Sequence, residues 1–246
     1  VTLDLTVGGV WGPRQESPDQ LAERWLRLLR RLARIAPEDF AGWRAEAVGQ
    51  AEQLPENPEN VDAAWFASYL SRVNPQDDAA TIGYSAVLVA ARPGRPIITL
   101  SVGAGGTPAF APQTAVITVR SADLNDSAPL VTRLPEVLTA IAEEWDADWG
   151  DIADDDLLGA LEKEYELDNS TPRCGRAVYL SSRRRALVPE DVPGRRAYTE
   201  HGGLVIDLGR PDGTAPDADH VLAVNGLLRK AGALEELPCP MDRAKW

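Results

Sequence analysis

The sequence predicts an α+β fold, an antiparallel sheet with packed helices, on three observations. First, the strand-like runs "ATIGYSAVLVAA" and "PIITLSV" flank the turn "RPGR", which makes a β-hairpin. Second, several segments carry apolar residues at steps of three and four behind capping residues, so they are amphipathic helices. Third, the element order suggests two degenerate half-repeats, 1–145 and 146–246, within a single domain spanning 1–246. A chain of 246 residues, 44% apolar and 26% charged, has ample length for a packed core.

Residues 1–7, "VTLDLTV", form the first expected strand. They lack the basic flank and apolar core of a signal peptide. "GGVWG" then supplies a corner, with Trp11 buried and Gly12 turning the chain. Ser17 suits a helix N-cap, Pro18 the first turn, and Gln20 closes a capping box. Leu21, Trp25, Leu28, Leu32 and Ile35 share one face of that helix, while Arg24, Arg27, Arg31 and Arg34 line another. Residues 38–57 look irregular around Trp43. "NPENVDAAWFASYLSRV" predicts a second helix, with Asn57 as cap, Pro58 in the first turn and Val61, Trp65 and Tyr69 buried.

After the hairpin, "TAVITV" (114–119) is a third strand. Residues 129–145 form a helix with Pro135 in its first turn and Leu134, Val137, Leu138 and Ile141 inward. "DWGDIADDDLLGALEKEYEL" repeats the Trp-Gly pair before an Asp-capped helix. "RAVYLSS" and "GGLVIDLG" are strands, joined by a long basic loop at 183–201. The helix "DADHVLAVNGLLRKAGAL" closes the fold, with Val221, Val224, Leu227 and Leu228 inward.

Composition excludes several functions. No apolar run approaches the ~18 residues a membrane helix needs. Cys174 and Cys239 lie 65 positions apart and fit neither a disulfide framework nor a cysteine-built zinc site, which suits a reducing cytoplasm. The net charge of −13 disfavours free nucleic acid and anionic membranes, because phosphate must be met by Lys and Arg. The "GAGG" loop at 103–106 leads into another strand and lacks a P-loop lysine, so it is a turn and not a phosphate cradle. His201 and His220 show no metal-ligand spacing, and "DIADDD" lacks the alternation of a calcium loop. No metal or cofactor is expected.

The acidity is concentrated. Residues 143–168 hold twelve carboxylates against Lys163, a local charge of −11. Such crowding suits a surface aimed at a cationic partner, and Trp145, Trp149 and Tyr165 are interleaved as interface anchors or as core. Residues 173–196 carry seven arginines and form the basic counterpart, which can pair with the acidic segment within the fold or between chains. The expected partner-binding residues are Asp146, Asp148, Trp149, Asp151, Asp154, Asp155 and Asp156, with Trp11 and Gly12 as structure. No catalytic residue is assigned.

"GGVWGPRQESPDQLAERWLRLLRRLARI", Trp43, "AVYLSS", "GGLVIDLG" and "HVLAVNGLLRKAGAL" together resemble the immunity protein 52 family of bacterial polymorphic toxin systems. The resemblance spans most of the chain, and its most specific part is the Trp-Gly-Pro-Arg-x-Glu-Ser segment. It implies a non-enzymatic antidote that is encoded beside a toxin and binds the toxic domain. Toxins associated with the family include nucleases of restriction-endonuclease type, whose basic surfaces an acidic inhibitor can seek rapidly. Two other readings remain open at this point: a small hydrolase or transferase using His201 with a nearby carboxylate, and a general protein-binding adaptor.

Overall fold

The computed structural model describes residues 3–47, 50–53, 61–75, 77–121, 129–167 and 171–241. Its strands are β1 (Leu3–Trp11), β2 (Trp43–Ala47), β3 (Gln50–Gln53), β4 (Tyr84–Ala90), β5 (Ile97–Ala104), β6 (Gln113–Ser121), β7 (Trp149–Asp154), β8 (Ala177–Leu180), β9 (Arg195–Tyr198) and β10 (Leu204–Asp207). They form one ten-stranded sheet in the order β3-β2-β4-β5-β6-β1-β7-β8-β10-β9, with every neighbouring pair whose register is resolved antiparallel. The helices are α1 (Pro18–Ile35), α2 (Ala63–Val73), α3 (Ala79–Ile82), α4 (Leu134–Trp145), α5 (Asp155–Tyr165), α6 (Ser182–Arg185) and α7 (Ala218–Lys230). The fold is therefore α+β, as the sequence predicts.

Strand β1 holds the centre. Its Leu5 lies opposite Val119 of β6 on one side and Asp154 of β7 on the other. Side chains alternate across a strand, and the apolar ones feed two separate cores. Leu3, Leu5, Val7 and Trp11 join α1, α2 and α4 in the larger core. Val10, Trp149, Val178, Leu180, Leu204 and Ile206 join α5 and α7 in the smaller one. Strand β8 is buried on both sides: Ala177 and Tyr179 serve the first core, Val178 and Leu180 the second. That explains why "AVYL" is continuously apolar.

Aromatic contacts knit the larger core. Trp11 stacks on Trp145 with centroids 5.4 Å apart, Trp25 meets Trp145 edge-on at 6.1 Å, and Phe66 follows at 5.3 Å from Trp25. Gly9 is required beside them, because a Cβ there would lie 2.7 Å from Ile141 Cγ2 of α4.

Several local expectations hold and others shift. The Ser17–Gln20 capping box is formed. Helix α2 is capped by Asp62, whose side chain accepts from the Ala64 N–H; Asn57 and Pro58 lie outside the described residues. Residues 43–47 and 50–53 are strands where the sequence suggests irregular chain. Trp149 begins strand β7, whereas Trp11 ends strand β1, so the two Trp-Gly pairs occupy different places. On α7, Leu227 is exposed and Asn225 is fully buried in its stead, its amide bonded to the Cys174 N–H and C=O. The basic loop contains α6 and the edge strand β9. The strand next to β1 is the last of its half's hairpin series, whereas the strand next to β7 is the first of its own. Shared element order thus does not extend to shared strand order.

Candidate functional site

The corner after β1 is a knot of charge and aromatic surface. Trp11 is buried, and its indole N–H donates to Gln113 Oε1 at 2.8 Å. Arg14 lies over the Trp11 ring, donates to Glu16 and reaches the Trp145 carbonyl at 3.0 Å. The Gly105 and Gly106 carbonyls accept the N–H groups of Glu16 and Arg14. The glycine-rich loop therefore turns carbonyls, not amides, toward its neighbour, the reverse of a phosphate cradle.

The arginine face of α1 meets α4. Arg24 bonds Glu16 at 2.6 Å and the Glu144 carbonyl at 2.5 Å, Arg27 bonds the Glu144 carboxylate at 2.9 Å, and Arg31 bonds Glu143. Cations at the carboxyl end of α4 complement its dipole. Glu143 also accepts the Glu200 N–H at 2.8 Å.

Much of the acidic segment is spent inside the molecule in the same way. Asp148 is held by Arg184 at 2.7 Å and by the Ser181 hydroxyl at 3.0 Å. Asp151 is 4% exposed and bonded to Arg173, whose guanidinium lies over the buried Trp149 ring. Burial pushes the Asp151 carboxyl above the ordinary aspartate value, against the opposing pull of Arg173. Asp154 caps α5 through the Leu157 N–H and pairs with Arg176 at 2.6 Å. The structure thus places the expected contact residues unequally. Trp149 and Asp151 are core, and Asp148 and Asp154 are tied to arginines of the basic segment. A carboxylate removed from water needs such a partner.

Asp146, Asp155 and Asp156 still face outward. Asp146 sits in a left-handed conformation just before β7, beside Arg14. Asp155 and Asp156 open α5 just after β7. A six-residue strand separates the two positions by about 20 Å, so they are distinct patches at opposite ends of the sheet. The second patch borders a cleft of about 640 Å³ lined by Leu3, Asp4, Asp154, Asp155, Asp156 and Arg176, among others. The first borders one of about 200 Å³ that includes Trp11, Gly12, Asp146, Asp148, Ser182 and Arg183.

His201 is exposed in the turn between β9 and β10 and lines neither cleft. Cys174 is buried, and burial pushes its thiol well above the usual range. Among the described residues, no group of three or more His, Cys, Asp or Glu side chains is placed to hold a metal ion. Among them, too, no helix is long and apolar enough to cross a membrane.

A family model described as immunity protein 52 matches residues 5–237, from β1 through the segment after α7. The chain belongs to the immunity protein 52 family. A solved structure, the Pseudomonas aeruginosa T6SS protein PA0821, is similar with a TM-score of 0.54 at 10% identity, over 97% of this chain and 78% of that one, which shows a shared fold. A comparison with curated proteins gives no match. In this member of the immunity protein 52 family, the Trp-Gly-Pro-Arg-x-Glu stretch builds the corner itself, through Trp11, Arg14 and Glu16. Sequence reasoning missed a different surface, made by Arg185 and Tyr198. In the sequence its arginine reads as one of the basic loop, and no periodicity marks an exposed aromatic on a four-residue strand.

Proposed function

We propose that this chain binds and neutralises a cognate toxin, a nuclease with a basic catalytic surface, by stoichiometric occlusion in the cytoplasm. The observation that carries the reading is the family match, which runs through nearly the whole fold. Charge supports it. The chain carries −13, and Asp155 and Asp156 face outward beside an acidic cleft without ion-pair partners among the described residues. Coulomb attraction between that field and a phosphate-binding surface would accelerate encounter. The structural neighbour's description as a T6SS protein suits an antidote acting in competition between bacteria. A tight one-to-one complex would bury about 1,600 Å² in all.

The test is co-expression with the toxin encoded immediately upstream, followed by calorimetry on the purified pair and assay of the toxin on DNA and RNA. Protection of the host with one-to-one stoichiometry is expected. A toxin that kills equally well with or without this protein, and forms no complex with it, would overturn the reading.

A further inference from the structure

We propose that the outer edge of β9 is a second contact surface, which receives an extended, carboxylate-bearing segment of the toxin by strand addition. This rests on the antidote reading above and adds a site of opposite charge to it.

Among the described residues, strand β9 is the last in the sheet and pairs only with β10. Tyr198 lies opposite Leu204 and Ala197 opposite Val205, and the Thr199 N–H closes the turn onto the Gly203 carbonyl. Hydrogen-bonded and non-bonded pairs alternate in an antiparallel ladder. Counting back from Thr199, Ala197 and Arg195 bond inward to β10. The N–H and C=O groups of Arg196 and Tyr198 point away from the sheet, where an added strand would take them.

Edge strands are normally guarded by charges standing over them. Here both candidate guards are engaged within the chain. Arg195 is held by Asp207 at 2.6 Å. Arg196 turns back to the carbonyls of Pro189, Glu190 and Val192, at 2.7, 3.1 and 3.2 Å. Those three bonds also fix the wall of a cleft of about 360 Å³ beside the edge, lined by Arg185, Val188, Glu190, Arg196, Tyr198 and Leu204.

What stands at this edge has the composition of an interface centre. Tyr198 is 67% exposed. Arg185 lies 5.5 Å from the Tyr198 ring centroid, which sets both side chains in place before any partner arrives. Tyrosine and arginine dominate binding hot spots. Among the described residues Arg185 has no carboxylate partner, whereas Arg173, Arg176 and Arg184 of the same basic segment hold Asp151, Asp154 and Asp148. Its charge therefore selects a carboxylate from outside, while the half-buried Val188 offers apolar contact. The occupant is an extended segment with an acidic residue two positions from an apolar one, so that both fall on the same side of the strand.

The test uses the full chain and the purified toxin domain encoded upstream. The double variant Arg185→Glu, Tyr198→Ala is compared with wild type for toxin affinity, and backbone amide exchange of Arg196 and Tyr198 is measured with and without toxin. Both substituted side chains are exposed, and unchanged circular dichroism confirms the fold. Binding weakened by roughly tenfold or more, with the two amides protected in the wild-type complex, is expected. Affinity within about twofold of wild type, or amides that exchange equally fast in the complex, overturns the strand addition while leaving the antidote reading intact. Wild-type protein that forms no complex removes both.

Discussion

Arg184 Nε lies 2.7 Å from Asp148 Oδ2, and the two side chains are only 3% and 11% exposed. The same guanidinium donates to the carbonyls of Ala233 and Glu235, at 3.0 and 2.9 Å. Asp148 also accepts the Ser181 hydroxyl, and its own N–H donates to the Val10 carbonyl. One ion pair thus joins the corner of the central strand, the end of β8 and the segment after α7. It shows where much of the acidic segment goes: into pairs with arginines of the same molecule, Asp148, Asp151 and Asp154 with Arg184, Arg173 and Arg176.

That arrangement makes Arg184→Ala a severe change. It leaves Asp148 buried without its counter-charge and frees two carbonyls. Removing one partner of such a pair destabilises by about 3–5 kcal/mol. Urea unfolding should show a loss of that size, and the double variant Arg184→Met, Asp148→Leu should be less damaged than the single one. A loss under about 1 kcal/mol for Arg184→Ala would mean the pair contributes no more than a surface one.

What the sequence reveals follows the range of the forces involved. Helix α1 is legible because its signals are local: Ser17 and Gln20 lie three residues apart, and Leu21, Trp25, Leu28 and Leu32 mark one face. Strand β7 is not. Its "WGDIAD" carries an aspartate into the core, and only Arg173, 22 positions away, makes that acceptable. Strands β2 and β3 are hidden likewise, since short strands near a sheet edge lack the apolar run of a central one. The candidate site fails in the same way. Counting charges finds the acidic segment but cannot separate Asp148 and Asp151, paired internally, from Asp155 and Asp156, which face water.

The two thiols should behave oppositely toward a disulfide reagent. Cys239 is exposed, whereas Cys174 is buried with its thiol pushed up by burial and by the nearby Asp151 and Asp207. Ellman titration of native protein should release colour quickly from one thiol, with the second reacting only after denaturation. A second native thiol reacting at the same rate would contradict the burial of Cys174.

The Asp151 carboxyl should leave a signature in the pH dependence of stability. Its folded pKa is raised above the ordinary 3.8, mainly by burial and against the pull of Arg173. Between those two values the folded state binds more proton than the unfolded state, so this residue's contribution falls as pH rises through the window. Stability of wild type relative to Asp151→Asn, followed by urea unfolding from pH 4 to pH 8, should decline upward from about the ordinary carboxylate pKa and then level off. A difference that grows with pH would show that Arg173 outweighs desolvation.

Charge reversal should sort the aspartates by location. Asp155 and Asp156 face water in the first turn of α5, where lysine loses only a dipole contact worth about 0.3–1 kcal/mol. Asp155→Lys with Asp156→Lys should therefore fold normally, yet associate more slowly with a basic toxin domain, by roughly tenfold at low salt and less at high salt. Asp148→Lys would set a second cation against buried Arg184 and should fail to fold stably. Stopped-flow association at two ionic strengths, with thermal unfolding of each variant, measures both effects. If the reversed α5 pair associates at the wild-type rate, that acidic end of the sheet takes no part in steering the toxin. The contact then has to be sought at Asp146 or at the β9 edge.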